Sequence, residues 1–142
     1  MREIKFRGKF SYNRKWIFGN LFYPDIYGKV HITTTTEGCL DIDINTVGQY
    51  TGIKDKNGRE IYEGDIVSWL FWSYINGYET ERYIKGVIEW HQGGFILKVL
   101  DNDIEYAGFY AISDLNFDEE DVELLGNVFD NPELLEDDNC TE

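Results

Sequence analysis

Two histidines and a pair of neighbouring carboxylates are the side chains of this sequence whose types could support acid–base chemistry. His31 and His91 are the only histidines, and each falls within or beside a predicted strand. Glu63 and Asp65 flank Gly64, so an extended segment would place both carboxylates on one face. A pocket that contained Glu63 or Asp65 together with a histidine would indicate an uncharacterised hydrolase. No HExxH, GxSxG or phosphate-binding glycine loop accompanies these residues, so the sequence predicts no catalytic residue.

Cysteines and paired aspartates are the remaining types that bind metals. Cys39 and Cys140 are too far apart for a CxxC motif, which predicts free thiols in a reducing compartment. Acidic pairs occur at 41–43 and 101–103, without the regular oxygen spacing around a glycine that a calcium loop needs. The sequence therefore predicts no metal and no cofactor.

The segment 48–67, GQYTGIKDKNGREIYEGDIV, carries the densest turn signals of the chain. Asn57 and Gly58 both tolerate positive φ, which predicts a type I′ hairpin turn. Gly64 gives the backbone freedom to bend before a strand, and the carboxylate of Asp65 can accept hydrogen bonds from nearby backbone N–H groups. These four residues are predicted to be structural. The Gly-Asp-x-Val entry is also similar to the first strand of SH3-like barrels.

Alternation of apolar and polar residues predicts strands along most of the chain. The pattern at 40–45 alternates strictly, which indicates one buried face and one acidic face. Further strand patterns occupy 4–23, 30–34, 66–75, 82–90, 95–100, 106–112 and 122–129. Asn131 before Pro132 marks the start of a short helix.

These patterns predict a mainly β fold of two modules. The first is an N-terminal β module at 1–50, and the second is an SH3-like barrel-type module at 51–142 that ends in a short helix. One integrated domain over 1–142 is the alternative. No apolar run approaches the roughly 20 residues of a membrane span, and the start of the chain has no secretory signal pattern. We therefore expect a cytoplasmic protein without a membrane partner.

The acidity of the chain is concentrated in its last third. The net charge is −14, and residues 99–142 contain 15 acids and no base. A run of carboxylates in this part could imitate phosphates and occupy the basic groove of a partner protein. Its members are Asp118, Glu119, Glu120, Asp121 and Glu123. Acidic runs are also typical of solvated loops, and both interpretations stay open.

Four basic residues cluster at the opposite end of the chain. Arg2, Lys5, Arg7 and Lys9 alternate with aromatic residues, a combination that contacts phosphates and stacks on bases in nucleic-acid-binding proteins. The net negative charge repels a polyanion at long range, which argues against this role. A solvated hairpin face is the favoured interpretation, and nucleic-acid binding is the alternative.

An aromatic run is the last candidate binding feature. In a strand, Trp69 and Phe71 would point to one side, and Trp72 and Tyr74 to the other. Either both faces are covered within the fold, or one is covered by a protein partner or by a second subunit.

Several segments together resemble the YopX family, small proteins carried largely by bacteriophages and prophages. The signature is 48–67, and MREIKFRGK at 1–9, WIFG at 16–19 and GNVFDNPELL at 126–135 also fit the family pattern. The family has no established biochemical role, so the resemblance implies a phage context and no mechanism. Our hypothesis is a non-enzymatic accessory protein that binds another protein, such as a host protein.

Overall fold

The computed structural model describes residues 3–22, 25–101, 107–112 and 118–136. Within these ranges the protein is mainly β, as the sequence predicts. The chain divides into two compact units, Met1–Gly52 and Ile53–Glu142. In the described part of the chain, no helix is long and apolar enough to cross a membrane.

The first unit is an antiparallel sheet in the order β4-β3-β2-β1-β5. Its strands are β1 (Phe6–Lys9), β2 (Trp16–Phe22), β3 (Val30–Thr34), β4 (Gly38–Ile42) and the start of β5 (Gly48–Lys54). Val30, Ile32 and Ile42 are buried, because the alternation places them on one face of neighbouring strands. After Ile42 the predicted alternation ends, since Ile44–Thr46 form a 3-10 turn in which Ile44 is exposed.

The second unit begins within β5 and contains a five-stranded antiparallel sheet in the order β10-β9-β8-β7-β11. Beside β5 lies β6 (Glu60–Tyr62). The other strands are β7 (Asp65–Ile75), β8 (Tyr78–His91), β9 (Gly94–Val99), β10 (Phe109–Ala111) and β11 (Val122–Asn127). One apolar cluster forms the core of this unit. It consists of Ile61, Val67, Trp69, Ile88, Leu97 and Val122.

The barrel and the short helix predicted for the second module compare differently with the structure. Among the described strands the pairings close no barrel, so the SH3-like barrel stays a prediction. The predicted short helix is a 3-10 helix of four residues, Pro132–Leu135. Asn131 makes no side-chain cap there, because its Oδ1 accepts a hydrogen bond from the backbone N–H of Asn127 at 3.2 Å instead.

The predicted type I′ turn at Asn57-Gly58 is wrong. Only Gly58 of this pair has a positive φ, 80°, and its N–H donates to the carbonyl of Asp55 at 2.9 Å. This is the arrangement of a type I turn followed by a left-handed glycine. A turn with two positive φ values, as type I′ requires, occurs at Asn76 (53°) and Gly77 (82°), where it joins β7 to β8.

Candidate functional site

The carboxylate of Asp55 holds the signature hairpin together. Asp55 is 1% exposed, and its Oδ1 accepts hydrogen bonds from the backbone N–H groups of Asn57 at 3.0 Å and Arg59 at 2.9 Å. Its Oδ2 accepts from Arg59 Nε at 3.0 Å and from the backbone N–H of Leu124 at 3.0 Å. Burial raises the pKa of Asp55, but these hydrogen bonds outweigh burial and leave the pKa below its usual value.

Sequence reasoning emphasised Asn57 and Gly58 and missed Asp55. An aspartate two residues before Asn57 is typical of an Asx turn, in which the carboxylate accepts from the backbone that follows it. The hydrogen bond to Leu124 has no such local signal, because the two residues are 69 positions apart.

Asp65 braces the second turn of the signature. It is 1% exposed, and its Oδ2 accepts from the backbone N–H of Tyr62 at 2.7 Å. Gly64 has a φ of 92°, a value that favours glycine. A carboxylate in this position contacts the backbone of its own turn, and Glu63 beside it is half-buried. This geometry supports a structural role for Gly64 and Asp65.

The other residue types considered for catalysis or metal binding lie apart. His31 Nε2 is 3.2 Å from Asp25 Oδ2 in the first unit, and this contact lowers the pKa of Asp25. His91 is exposed at the end of β8 in the second unit. Cys39 is an exposed free thiol, and Cys140 lies outside the described residues. Within the described ranges, no group of three His, Cys, Asp or Glu residues is placed to hold a metal ion.

The basic residues of the first hairpin contact aromatic rings. Arg7 is 6% exposed, and its guanidinium lies 4.5 Å from the ring centroid of Trp16. Lys9 Nζ lies 5.3 Å from the same centroid, and Lys5 Nζ lies 5.6 Å from that of Tyr50. Arg2 lies outside the described residues. Because Arg7 is buried against Trp16, little of its side chain is exposed to solvent. Nucleic-acid binding by this hairpin stays a prediction.

The acidic run forms a 3-10 turn, Glu119–Asp121, in front of β11. Asp118 Oδ1 caps this turn by accepting from the backbone N–H of Glu120 at 3.1 Å. Asp121 is half-buried; burial and then the charge of Asp118 raise its pKa. Glu123 forms an ion pair with Lys56 at 3.1 Å. Asp118, Glu119 and Glu120 are the exposed members of the run.

The hairpin of β7 and β8 extends beyond the sheet that carries it. β11 pairs with β7 only as far as Trp69, and β9 pairs with β8 only as far as Gly86. In the described structure, Leu70–Ile75 pairs only with Tyr78–Tyr83. At about 3.4 Å per residue, this two-stranded ribbon is about 20 Å long. We call Leu70–Tyr83 the arm.

The two faces of the arm differ in burial. On the inner face Trp69, at the base, is 2% exposed, and Phe71 packs against the core, with its ring centroid 5.0 Å from that of Tyr110. On the other face Trp72 is 55% exposed and Tyr83 is 61% exposed. The side chain of Tyr74 lies outside the described part of the structure. One side of the predicted aromatic run is therefore in the core, and Trp72 is open to solvent.

Leu70, Trp72 and Tyr83 form a contiguous surface, which we call the aromatic face. Leu70 is directly opposite Tyr83 in the ladder, and Trp72 is the diagonal neighbour of Tyr83 on the same side. Tryptophan and tyrosine offer a large apolar area, a polar group and few rotatable bonds, which suits them to protein interfaces. The aromatic face is suited to apolar contact with another macromolecule.

The fold and this surface define a mainly β protein with two units and an exposed aromatic arm. A similar solved structure is the crystal structure of protein EF1440 from Enterococcus faecalis. It has a TM-score of 0.52 and 22% identity, and the match covers 96% of this chain and 100% of that chain. This likeness shows the fold alone.

The chain belongs to the YopX family, because the family model described as YopX protein matches residues 5–136. The family resemblance found in the sequence is thereby confirmed. No curated protein matches the chain.

Proposed function

We propose that this YopX family member is a non-enzymatic phage or prophage accessory protein. It binds another protein in the bacterial cytoplasm through the aromatic face of the arm. The observation that carries the proposal is the pair of Trp72 and Tyr83, each more than half exposed and adjacent on a ribbon whose opposite face packs on a core. Large exposed aromatic side chains that are contiguous mark interaction sites more often than isolated ones do.

The acidic turn contributes the electrostatic part of this proposal. Glu119–Asp121 precede Val122, which pairs with Trp69 at the base of the arm. Exposed carboxylates at the edge of an apolar surface attract a basic partner and accelerate its association. The partner that fits is a host protein with an apolar site bordered by basic residues.

A pull-down from bacterial host lysate tests the aromatic face directly. The tagged full chain is compared with the double variant Trp72→Thr/Tyr83→Thr, after nuclease treatment. Trp90→Thr is the matched control, because Trp90 is 51% exposed and lies on β8 outside the arm. We expect a host protein that is retained by the parent chain and by Trp90→Thr, and is lost with the double variant. Equal retention by all three chains would overturn the proposal.

A second variant measures the contribution of the acidic turn. Glu119→Gln/Glu120→Gln removes two exposed charges and leaves the Asp118 cap and the Glu123–Lys56 ion pair in place. We expect weaker retention at low salt and a smaller difference at high salt, because salt screens exposed charges. In a parallel pull-down without nuclease, recovery of nucleic acid that is lost in Lys5→Gln/Lys9→Gln would favour the basic hairpin instead.

A further inference from the structure

We propose that the open edge of β7 pairs with β7 of a second copy of this chain. The pairing is antiparallel about a twofold axis at Ser73, so that two arms form one four-stranded sheet. This inference deepens the proposed function and rests on the same arm. It concerns the backbone edge of the arm, whereas the proposed function concerns the side chains on its face.

The geometry of the hairpin shows which backbone groups face the open edge. In a two-residue hairpin the residues that flank the turn, Ile75 and Tyr78, form a hydrogen-bonded pair. Alternation along β7 then directs the N–H and C=O of Leu70, Trp72 and Tyr74 away from β8. The same alternation on β8 directs Lys85 outward, and the carbonyl of Lys85 does accept from the N–H of Leu100 at 2.9 Å.

Among the residues that the structure describes, this edge is open because β11 leaves the ladder. Val122 is opposite Trp69, and the residues before it, Glu119–Asp121, curl into a 3-10 turn. A two-stranded ribbon is only marginally stable in water on its own, so pairing along this edge would add stability to the arm.

The composition of the edge indicates that it is made to be paired. Open edges of natural sheets usually carry charged residues or proline, which prevent other strands from adding to them. Leu70–Ile75 contain no charged residue, no proline and no glycine. The other strand of the arm contains Glu79, Glu81 and Arg82. The edge of β8 is therefore protected, and that of β7 is not.

Charge explains why a second copy fits here in particular. Two copies with a net charge of −14 repel each other, and an interface between them needs a surface without carboxylates. The β7 edge of the arm is uncharged, and antiparallel pairing places the two acidic turns at opposite ends of the joined strands. The arm is about 20 Å long. At physiological salt, exposed charges more than roughly 8 Å apart are largely screened from each other.

Packing at the base of the arm sets the register. With the axis at Ser73, the backbone of Trp72 in each copy is hydrogen-bonded to the backbone of Tyr74 in the other copy. A shift of one residue per strand toward the base would bring Ile75 of the second copy opposite Trp69. Val122 already occupies that position in the ladder. A shift of one residue per strand toward the tip would leave only Ser73–Ile75 of each strand paired, instead of Phe71–Ile75. Ser73 is therefore opposite Ser73 of the second copy, in a non-hydrogen-bonded pair.

Disulfide crosslinking tests this register. In a Cys39→Ser/Cys140→Ser background, Ser73→Cys would bring two cysteines to a Cα–Cα separation of about 4.5 Å, which a disulfide can span. Thr80→Cys is the matched control, because Thr80 is opposite Ser73 within one arm. It would lie three strand spacings, about 14 Å, from its copy. We expect a covalent dimer from Ser73→Cys and none from Thr80→Cys. Equal crosslinking of both, or of neither, would overturn the proposal.

Sedimentation equilibrium of the full chain separates the edge from the face. Trp72→Thr removes the indole and keeps the N–H, whereas Trp72→Pro also removes this edge donor without breaking a bond inside the arm. We expect dimers from the parent chain and from Trp72→Thr, and monomers from Trp72→Pro. The dimer should tighten at high salt, since repulsion between the copies is screened, whereas a partner held by charge would weaken. A parent chain that stays monomeric at every concentration refutes the dimer, even if a host protein still binds the aromatic face.

Discussion

The carboxylate of Asp55 accepts a hydrogen bond from the backbone N–H of Leu124 at 3.0 Å, across 69 positions of sequence. Three neighbouring contacts reinforce this link. Arg59 Nη2 donates to the carbonyl of Leu124 at 3.0 Å, the N–H of Lys56 donates to the carbonyl of Val122 at 2.9 Å, and Lys56 Nζ pairs with Glu123. The signature hairpin is therefore a clasp that attaches β11 to the second unit.

Asp55→Asn should destabilise the protein by about 2–4 kcal/mol, because an amide accepts fewer of these hydrogen bonds and its NH2 group would face backbone donors. Urea denaturation at neutral pH measures the change. Glu119→Gln removes an exposed carboxylate and should change the free energy of unfolding by less than about 0.5 kcal/mol. Equal stabilities of the two variants would argue against the clasp.

The pH dependence of stability should contain a contribution from Asp55. Its folded-state pKa lies below the unfolded value of about 3.9, so the folded state binds fewer protons in this range. The stabilisation is complete above the unfolded pKa and is lost as the pH falls toward the folded pKa. Acid titration of Asp55→Asn should therefore give a shallower loss of stability than that of the parent chain, and parallel curves would contradict this assignment.

Asp121 should behave in the opposite way. Burial, with the charge of Asp118 as the second cause, raises its pKa in the folded state, so ionisation at neutral pH opposes folding. Asp121→Asn should therefore be more stable than the parent chain at neutral pH, and the advantage should disappear in acid, where both side chains are neutral. Thermal unfolding at the two pH values provides the comparison. A variant that is less stable at neutral pH would show that the carboxylate is needed as an acceptor.

Two tryptophans three residues apart should respond differently to the same substitution. Trp69→Ala removes a 2% exposed core side chain and should cost about 3–5 kcal/mol of unfolding free energy. Trp72→Ala removes a 55% exposed side chain and should cost less than about 1 kcal/mol in the monomer. Urea denaturation at low protein concentration distinguishes them, and similar losses would mean that the outer face of the arm is packed.

Gly86 and Gly94 form a similar pair of probes on adjacent strands. A Cβ at Gly86 would lie 2.6 Å from Leu97 Cδ1 and 2.9 Å from the carbonyl of Lys98, whereas a Cβ at Gly94 would meet no atom within 4 Å. Gly86→Ala should therefore destabilise the second unit by about 1–3 kcal/mol, and Gly94→Ala should be neutral or slightly stabilising. Thermal unfolding of the two variants tests this, and the reverse order would contradict the strand packing.

Local patterns in the sequence predict most of the strands, because the side chains of each strand alternate between core and solvent. They do not predict β5 and β6, which lie in the turn-rich signature segment. The first half of the alternation at 40–45 lies in β4, which ends at Ile42, and the run at 66–75 corresponds to β7. The strand pattern predicts that the next strand starts at 82, whereas β8 begins at Tyr78. The polar residues Glu79 and Glu81 carry little strand signal, and their strand structure comes from pairing with β7.

The candidate site was only partly predictable. The composition at 69–74 indicates an aromatic strand, but which face is covered depends on the packing of Trp69 and Phe71 on the core and on Tyr110. Which edge is open depends on where β11 stops pairing. The burial of Arg7 and Asp55 depends on Trp16 and Leu124, and periodicity does not encode such partners. The sequence alone shows where the acidic residues are, whereas the ion pair between Glu123 and Lys56 can be recognised only from the fold.

The clasp also has a consequence for the order of folding. The turn at Asn76-Gly77 closes a loop of two residues, and hairpins of this kind form within about 1–10 μs. The link between Asp55 and Leu124 must close a far longer loop before it gains any hydrogen bond, and contacts of high sequence separation slow folding. We therefore expect the arm to be structured early and the clasp to close late. Mutations at Asp55 should then accelerate unfolding and leave the folding rate almost unchanged.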